Sequence, residues 1–256
     1  MIHQMILFDL DGTLLTSDNI ISQKTTNSIK TCKLKGYYIG IITARSRSKK
    51  NICLLDELPY DFIAFYNGAE IYAKHRLIES NVLPFKQAAW ILKRLNEDFP
   101  CMVIDVHQEP WIFSSVYGDI RHMESGSRKA CSLNTLPERN VQRIRLKSES
   151  LVSIPLQNYM TSESVFYHTV FGDAIIVHKN ANKGHVAKKA SEFFGIPLAR
   201  MIAFGDDLND SDMIKIVGMG VAMGNAHSDL KKIANYITET NDNNGIAIWI
   251  NKHLIQ

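Results

Sequence analysis

The sequence predicts an α/β fold in which a parallel sheet flanked by helices is interrupted by an inserted α+β domain. Short apolar runs alternate with helical patterns at both ends of the chain, and polar residues directly follow three of these runs. Between residues 83 and 180 the pattern changes to a helix followed by paired strands, twice over. We therefore predict one domain formed by residues 1–82 and 181–256 and a second formed by residues 83–180.

Composition restricts the classes of protein that the chain can belong to. Its 256 residues are 45% hydrophobic and 21% charged, as is usual for a globular protein. The net charge of +3 is too small to indicate a nucleic-acid partner by itself. No apolar run approaches the length of about 18 residues that would predict a membrane helix, so we expect no membrane partner. The 4 cysteines are dispersed, which favours neither zinc nor disulfides and suggests a cytoplasmic location.

The first predicted strand ends in two carboxylates. The apolar run at residues 5–8 is followed by Asp9 and, one residue further on, by Asp11. Two anions about 4 Å apart repel each other by roughly 1 kcal/mol even in water, so this pair indicates a nearby cation. Gly12 allows a sharp turn and Thr13 can form local hydrogen bonds, so we expect the carboxylates to lie in a rigid turn.

The next part of the chain continues the parallel pattern. The predicted elements are a helix over 25–35 with apolar positions at Ile29, Cys32 and Leu34, a strand over 37–42, a helix over 46–55, a strand over 62–65, and a small hairpin formed by 71–73 and 77–78. Thr43 directly follows the second strand. Because ligands bind beyond the carboxyl ends of parallel strands, we expect Thr43 to lie beside Asp9 and Asp11.

The predicted insertion contains two helices, each followed by strands. Its elements are a helix over 84–99 through Ala88, Ile91, Leu92 and Leu95, strands over 102–106 and 111–115 separated by a turn at 108–110, a helix over 137–147, and strands over 151–156, 165–170 and 174–177. Residues 121–147 carry 7 Lys or Arg against 2 Glu. Aromatic residues are not interleaved with these charges as single-strand binding requires, so we interpret this stretch as a solvated face and expect no nucleic-acid partner.

The parallel pattern then returns. The predicted elements are a helix over 183–194 ended by Gly195, a strand over 201–204, a helix to residue 217, a strand over 220–222, a helix over 228–234 and a strand over 236–238. A second acidic cluster follows the strand over 201–204, where four acids lie between Asp206 and Asp212. Because strand ends share one edge of the sheet, Asp206 can reach the same point as Asp9 and Asp11. Their oxygens would suit Mg²⁺, although a solvated acidic loop at a helix N-terminus is the alternative.

These residues together support phosphoryl transfer, in which positioning and charge neutralisation do most of the catalysis. Asp9 directly follows the buried strand and is the best-placed nucleophile for an aspartyl-phosphate. Asp11 could protonate the leaving oxygen and then accept the proton of the attacking water. Thr43 offers a hydroxyl to a phosphoryl oxygen. Lys183, at the N-terminus of a predicted helix, is the candidate cation.

The chain resembles the haloacid dehalogenase superfamily, and within it the Cof-type phosphatases with a large α/β cap. The motifs that carry this resemblance are Asp9-Leu10-Asp11-Gly12-Thr13, Thr43, Lys183 and Gly205-Asp206-Asp207-Leu208-Asn209-Asp210, with further likeness in Asn67-Gly68-Ala69, Gly220 to Ala226 and Thr240 to Ala247. The resemblance covers both segments of the predicted core, and the insertion by position and size. It implies a Rossmann-like core, an inserted cap and a Mg²⁺ cofactor.

The resemblance also implies roles for individual residues. Asp9 would be the nucleophile and a metal ligand, Asp11 the acid/base and a metal ligand through its carbonyl, and Asp206 the third protein ligand. The residues expected to hold phosphate are Thr43, Lys183, Asn209 and the backbone of Leu10, with Asp210 supporting the site from behind. Ala44 departs from the family, whose members usually have glycine there. The role of Asp207 stays open.

The leading hypothesis is a Mg²⁺-dependent phosphatase that acts on small phosphorylated metabolites through an aspartyl-phosphate. One alternative is a phosphotransferase or phosphomutase, which would pass the phosphoryl group to a sugar hydroxyl. The absence of an evident second phosphate clamp in the sequence favours the hydrolase. The other alternative is a catalytically silent binding module that uses the basic stretch. The complete set of acids and the lysine argues against it.

Overall fold

The chain divides into two compact units. The computed structural model describes residues 4–99, 101–106, 109–114, 129–147, 155–168 and 172–255. Met1–Ser80 and Asn182–Gln256 form the first unit, and Asn81–Ala181 forms the second. Each unit is built around a sheet of its own. The interpretation of the two units as a catalytic core and a cap stays a prediction.

The first unit contains an eight-stranded sheet. Its strands are β1 (Met5–Asp9), β2 (Tyr38–Ile42), β3 (Phe62–Phe65), β4 (Glu70–Ala73), β5 (Arg76–Ser80), β12 (Met201–Gly205), β13 (Met219–Ala222) and β14 (Tyr236–Ile237). Their order is β14-β13-β12-β1-β2-β3-β4-β5, and the six strands from β14 to β3 are parallel. β4 and β5 extend the sheet as an antiparallel hairpin. The predicted α/β class is confirmed.

β1 lies in the middle of this sheet, which explains its run of apolar residues. The strand pairs in parallel with β12 on one side and with β2 on the other. All four side chains from Met5 to Phe8 are fully buried. A strand covered on both faces requires apolar residues at consecutive positions, not at alternate ones. The carboxyl ends of β1, β2 and β12 therefore lie side by side and present Asp9, Thr43 and Asp206 at one edge.

Helices accompany the parallel strands. They are α1 (Gln23–Leu34), α2 (Lys49–Cys53), α4 (Lys183–Phe194), α5 (Ser211–Ile216), α6 (Ser228–Ile233) and α7 (Gly245–Ile250). α1 begins where the Ser22 side chain accepts the backbone N–H of Thr25. Its Ile29 and Cys32 are buried as predicted. Leu34 is the last residue of the helix and does not lie on the face that packs against the sheet, so it is 89% exposed. The prediction of Leu34 as a core position is wrong, and α7 was not predicted.

Within its described residues, the second unit contains a six-stranded sheet and an α-helix. These are α3 (Phe85–Leu95), β6 (Cys101–Val106), β7 (Glu109–Ser114), β8 (Lys129–Cys131), β9 (Val141–Leu146), β10 (Ser164–His168) and β11 (Ala174–His178). The strand order is β10-β11-β9-β6-β7-β8. Ala88, Ile91, Leu92 and Leu95 of α3 are buried in its core, as their helical spacing predicts.

The predicted helix over 137–147 is wrong, because this stretch contains the strand β9. Ile144 and Leu146 are buried while Arg143 and Arg145 are half-buried, so the sequence has the period of two that a strand requires. β9 lies between β11 and β6, where both neighbours satisfy its backbone hydrogen bonds. The tertiary pairing outweighs the helical preference of its arginines and leucine.

Two other boundaries in the second unit differ from the predictions. Residues 109 and 110 belong to β7, where Pro110 pairs with Asp105, and not to a turn. Of the predicted strand over 151–156, residues 151–154 lie outside the described residues, and Leu156 begins a short 3-10 helix, Leu156–Tyr159.

Two charges of the basic stretch are paired, since Arg143 contacts Asp105 at 2.5 Å and Lys129 contacts Glu109 at 2.7 Å. No helix in the described ranges is long and apolar enough to cross a membrane.

The two faces of α1 provide a test of this packing. We expect Ile29→Ala to lower the free energy of unfolding by about 2–5 kcal/mol, because it leaves a cavity in the core. Leu34→Ala on the same helix should change it by less than about 0.5 kcal/mol, because that side chain is in solvent. Urea unfolding followed by circular dichroism measures both variants. Equal costs for the two substitutions would contradict the packing described.

Candidate active site

The segment after β1 is a tight turn that brings two distant parts of the chain together. Asp9 ends the strand and is buried. Gly12 has a φ of +73°, and a Cβ atom there would lie 2.2 Å from Oδ2 of Asp206. Thr13 donates its hydroxyl hydrogen to Oδ1 of Asp206 at 2.9 Å. The turn therefore needs glycine, both for its backbone conformation and for the close approach of the second acidic segment.

Lys183 lies at the centre of the buried charges. α4 begins at this residue, and the Asn182 side chain caps the helix by accepting the N–H of His185 at 2.8 Å. The Lys183 ammonium donates to Oδ1 of Asp9 at 2.5 Å and to Oδ1 of Asp210 at 2.6 Å. The side chains of Lys183 and Asp210 are 0% exposed, so these ion pairs are shielded from water. Such pairs hold both carboxylates in fixed positions.

Asp210 organises the segment after β12. Its Oδ2 accepts the backbone N–H groups of Asp206 at 3.0 Å and Asp207 at 3.1 Å. A Cβ atom on Gly205 would lie 2.5 Å from Cγ of Asp210, so only glycine leaves room for this carboxylate. Asp207 caps the short 3-10 helix Leu208–Asp210 by accepting the N–H of Leu208 at 2.7 Å. Asp210 therefore supports both Lys183 and the backbone that carries Asp206.

Among the described residues, one group of acids has the spacing of a metal site. Single oxygens of Asp9, Asp206 and Asp210 all lie within 4.8 Å of one another. Burial raises the pKa of Asp206 to about 6, the charge of Asp210 adds to the rise, and Thr13 and Lys183 oppose it. Burial likewise raises the pKa of Asp9 well above its usual range despite Lys183. The carboxylates thus repel one another in the absence of a further cation.

Lys183 keeps its charge in this setting. Burial acts to lower the pKa of the ammonium, but the charges of Asp210 and Asp9 and the hydrogen bonds to them have the larger combined effect. The pKa of Lys183 is therefore raised above its usual range. Among the described residues, one ammonium faces three carboxyl groups, so the acids of the cluster outnumber its basic group. Hard carboxylate oxygens with such an excess fit a Mg²⁺ ion.

The carboxylate of Asp11 lies outside this acidic cluster. It forms an ion pair with Arg45, with Oδ1 at 2.5 Å from Nη2 and both oxygens at 3.0 Å from Nε. Arg45 is itself held by the side-chain oxygen of Asn19 at 3.0 Å. The Asp11 side chain is 50% exposed. Of the predicted residues, the structure therefore brings together Asp9, Lys183, Asp206 and Asp210, and directs Asp11 towards an arginine that the sequence reasoning did not select.

Thr43 and Asn209 both contact a short turn, which we call the Tyr66–Gly68 turn. Thr43 is fully buried, and its carbonyl accepts the N–H of Asn67 at 2.8 Å. The hydroxyl oxygen of Thr43 accepts the N–H of Arg45 at 3.0 Å. The Asn209 side chain donates to Oδ1 of Asn67 at 3.3 Å. The sequence indicates Asn67 only as part of the likeness to the family. Its contacts with Thr43 and Asn209 could be recognised only from the fold.

A cavity of about 410 Å³ lies beside Asp11. Its lining is mainly polar and includes Ser17, Asn19 and Asp242. Two asparagines connect its walls. Asn225 donates to the carbonyl of Gly12 at 2.8 Å, and Asn241 donates to that of Leu15 at 2.8 Å.

Leu10, predicted as a backbone ligand, is buried, and its carbonyl accepts the N–H of Leu15 at 2.8 Å.

Comparison with known proteins shows relatives along the whole chain. The 5-amino-6-(5-phospho-D-ribitylamino)uracil phosphatase YitU of Bacillus subtilis is 30% identical over 97% of this chain and 97% of that protein. A putative phosphatase of Haemophilus influenzae is 28% identical, again over 97% of each chain. The structure of BT1666, a phosphatase of the haloalkanoate (HAD) superfamily from Bacteroides thetaiotaomicron, shares the fold with a TM-score of 0.85. It is 22% identical and aligns over 98% of this chain and 95% of that one.

A family model covers nearly the same residues. The model of the haloacid dehalogenase-like hydrolases matches residues 6–250, which include every residue of the predicted site. The relatives are named as phosphatases, and the matched range spans both units of the structure. The motifs at Asp9, Thr43, Lys183 and Asp206 therefore predicted the family correctly. The chain belongs to the haloacid dehalogenase-like hydrolases and is an enzyme of their phosphatase type.

Proposed function

We propose that the chain is a Mg²⁺-dependent phosphatase that hydrolyses phosphate monoesters of small metabolites through a phosphoryl group carried on Asp9. The observation that carries this proposal is the buried contact of Lys183 with both Asp9 and Asp210, beside Asp206. A buried carboxylate that is fixed by a lysine at a strand end is a suitable nucleophile. The phosphatase names of the relatives agree with this chemistry.

The first step transfers the phosphoryl group to the enzyme. Oδ of Asp9 attacks phosphorus, the bond from phosphorus to the ester oxygen breaks, and Asp11 gives a proton to the leaving alcohol. Lys183 holds the Asp9 carboxylate at 2.5 Å, which fixes the direction of attack. Asp11 is half exposed and lines the cavity of about 410 Å³, so its carboxyl is accessible to a leaving group.

The second step returns the enzyme to its starting state. Asp11, now ionised, accepts a proton from water as the water oxygen attacks phosphorus. The bond between phosphorus and Asp9 breaks, and inorganic phosphate leaves. The ion pair with Arg45 holds the Asp11 carboxylate at the cavity.

Asp9, Asp206 and the carbonyl of Asp11 are the groups that would hold Mg²⁺, as the family resemblance implies. The proposal is supported by the three-carboxylate cluster, in which burial, with the charge of Asp210 added, raises the pKa of Asp206 to about 6. When bound, the ion would neutralise charge on the phosphoryl oxygens and on Asp9. In this proposal Asp210 serves Lys183 and the backbone, since its two oxygens already accept hydrogen bonds from them.

The phosphoryl oxygens would be held by Thr43, Lys183, Asn209 and the N–H of Leu10. Thr43 and Lys183 are fully or almost fully buried, so hydrogen bonds from them to a phosphate would not compete with bulk water. The amide nitrogen of Asn209 carries two hydrogens, of which one is donated to Asn67. The second remains for a phosphoryl oxygen.

The substrate is proposed as a class and not as one compound. The Bacillus subtilis relatives YitU, YcsE and YwtE are named for 5-amino-6-(5-phospho-D-ribitylamino)uracil, and they are 25–30% identical to this chain. A panel of sugar phosphates, pyridoxal phosphate, flavin mononucleotide and the ribitylaminouracil phosphate would identify the preferred ester. Measuring free phosphate against isomerised sugar phosphate would distinguish hydrolysis from the phosphomutase alternative.

A cytoplasmic location stays a prediction, which rests on the dispersed cysteines.

The nucleophile assignment predicts the effect of Asp9→Asn. An amide does not attack phosphorus as a carboxylate does, so we expect phosphate release from an aryl phosphate to fall by about a thousandfold or more. Removal of Mg²⁺ by a chelator should abolish wild-type release in the same assay. Asp229→Asn, which changes an exposed acid on α6, is the matched control and should retain full activity. A folded Asp9→Asn protein with normal turnover would disprove the assignment.

The raised pKa of Asp206 predicts a pH dependence of metal binding. Above pH 6 the carboxyl is ionised and can bind Mg²⁺, whereas below pH 6 it is protonated. The apparent Mg²⁺ affinity should therefore fall by about tenfold for each pH unit below that pKa, because protons compete with the ion. Isothermal titration at pH 5, 7 and 8 measures this, and Asp206→Asn should bind weakly at all three. An affinity that is equal at pH 5 and pH 7 would contradict the proposed ligand.

A further inference from the structure

The Tyr66–Gly68 turn contacts three separate segments of the proposed site. The carbonyls of Thr43 and Arg45 accept the N–H groups of Asn67 at 2.8 Å and Tyr66 at 3.0 Å. A Cβ atom on Gly68 would lie 2.5 Å from Cγ2 of Val186, so the turn packs directly against the first turn of α4, which begins at Lys183. The side chain of Asn67 contacts Asn209. This turn thus contacts the three segments that carry the side chains proposed to hold phosphate.

The backbone of Asn67 adopts an unusual conformation. Its φ is +57° and its ψ is 19°, and only 3% of its surface is exposed. Residues other than glycine rarely occupy this left-handed region, and asparagine is among the few that tolerate it. Buried residues in such conformations are concentrated at functional sites, where the surrounding contacts hold them in place. The conformation directs the Asn67 side chain towards Asn209.

The amide of Asn209 depends on this contact for its orientation. Oδ1 of Asn67 accepts a hydrogen bond from Nδ2 of Asn209. This bond requires the amide nitrogen, and not the oxygen, to lie on the side that faces Asn67. Within the described part of the chain, no group donates to the buried Oδ1 of Asn209. Among the groups that the structure describes, the Asn209 carboxamide is therefore held only through its nitrogen. Without the contact to Asn67, it could rotate by half a turn and exchange the positions of its nitrogen and oxygen.

We infer that Asn67 is a positioning residue for phosphate, which acts by orienting the amide of Asn209 so that one of its hydrogens faces the phosphoryl group. The inference rests on the proposed function for the role of Asn209. Beyond that function, the affinity of the site for phosphate would depend on the Asn67 side chain, which does not itself contact the phosphoryl group. Loss of the Asn67 side chain should therefore weaken phosphate binding without affecting Mg²⁺ binding.

The test uses Asn67→Gly, because glycine keeps the left-handed backbone and removes only the side chain. Asn244→Gly is the matched control. Asn244 also has a positive φ of 59°, and its Oδ1 also accepts one side-chain hydrogen bond, from Ser22 at 2.7 Å. No residue proposed for the site contacts Asn244 through a described side-chain hydrogen bond.

Isothermal titration of inorganic phosphate, in the presence of saturating Mg²⁺, gives the main readout. We expect Asn67→Gly to weaken phosphate binding by about fivefold, the effect of one hydrogen bond, and Asn244→Gly to leave it unchanged. Titration of Mg²⁺ alone should give wild-type affinity for both variants. A purely structural role would instead weaken the binding of Mg²⁺ and phosphate together.

A double-mutant cycle with Asn209→Ala decides whether Asn67 acts through Asn209. We expect Asn67→Gly to have no further effect on phosphate affinity in the Asn209→Ala background. Additive losses would overturn the inference, as would unchanged affinity in either single variant. An Asn67→Gly protein that fails to fold while Asn244→Gly folds would also overturn it. A failure of the proposed hydrolysis is distinguishable from these outcomes, because it would show as a wild-type enzyme that releases no phosphate from its esters.

Discussion

The buried ammonium of Lys183 is the interaction on which the rest of the site depends. It joins the end of β1 to the segment after β12 through Asp9 and Asp210, and all three side chains are almost completely removed from water. Removing one partner from such a pair leaves an uncompensated charge in the interior, at a cost of about 3–5 kcal/mol. The same contacts that hold the two segments together also orient the proposed nucleophile. Stability and reactivity therefore depend on the same few atoms.

The parallel half of the fold could be predicted because its signals are local. A strand buried on both faces leaves an uninterrupted apolar run, as at residues 5–8, and Gly195 ends α4 in the left-handed conformation that glycine allows. The strand β9 could not be predicted in this way. Its alternation is short, its arginines and leucine also favour a helix, and pairing with β11 and β6 outweighs that preference. Such pairing joins residues that are distant in the sequence.

The same distinction applies to the site. Asp9 ends one strand, and Thr43 and Asp206 directly follow two others. The ends of these strands share an edge, so the proximity of the three residues could be derived from topology alone. The partners of a side chain could not be derived. Asp11 is two residues from Asp9, yet its carboxylate pairs with Arg45, and the contact between Asn67 and Asn209 joins residues 142 positions apart. Rotamers and long-range contacts decide these details, and sequence spacing does not encode them.

The hydrogen bond between Thr13 and Asp206 joins residues that are separated by 193 positions, and the whole second unit lies between them in the chain. During synthesis on the ribosome, β1 emerges first and exposes an apolar strand that lacks its neighbour β12 until most of the chain has been made. Contacts of such long range slow folding. The second unit is continuous in sequence and can complete its sheet earlier. The strands of the first unit therefore stay without their partners until the segment after the second unit emerges, and unpaired strand edges of this kind favour aggregation.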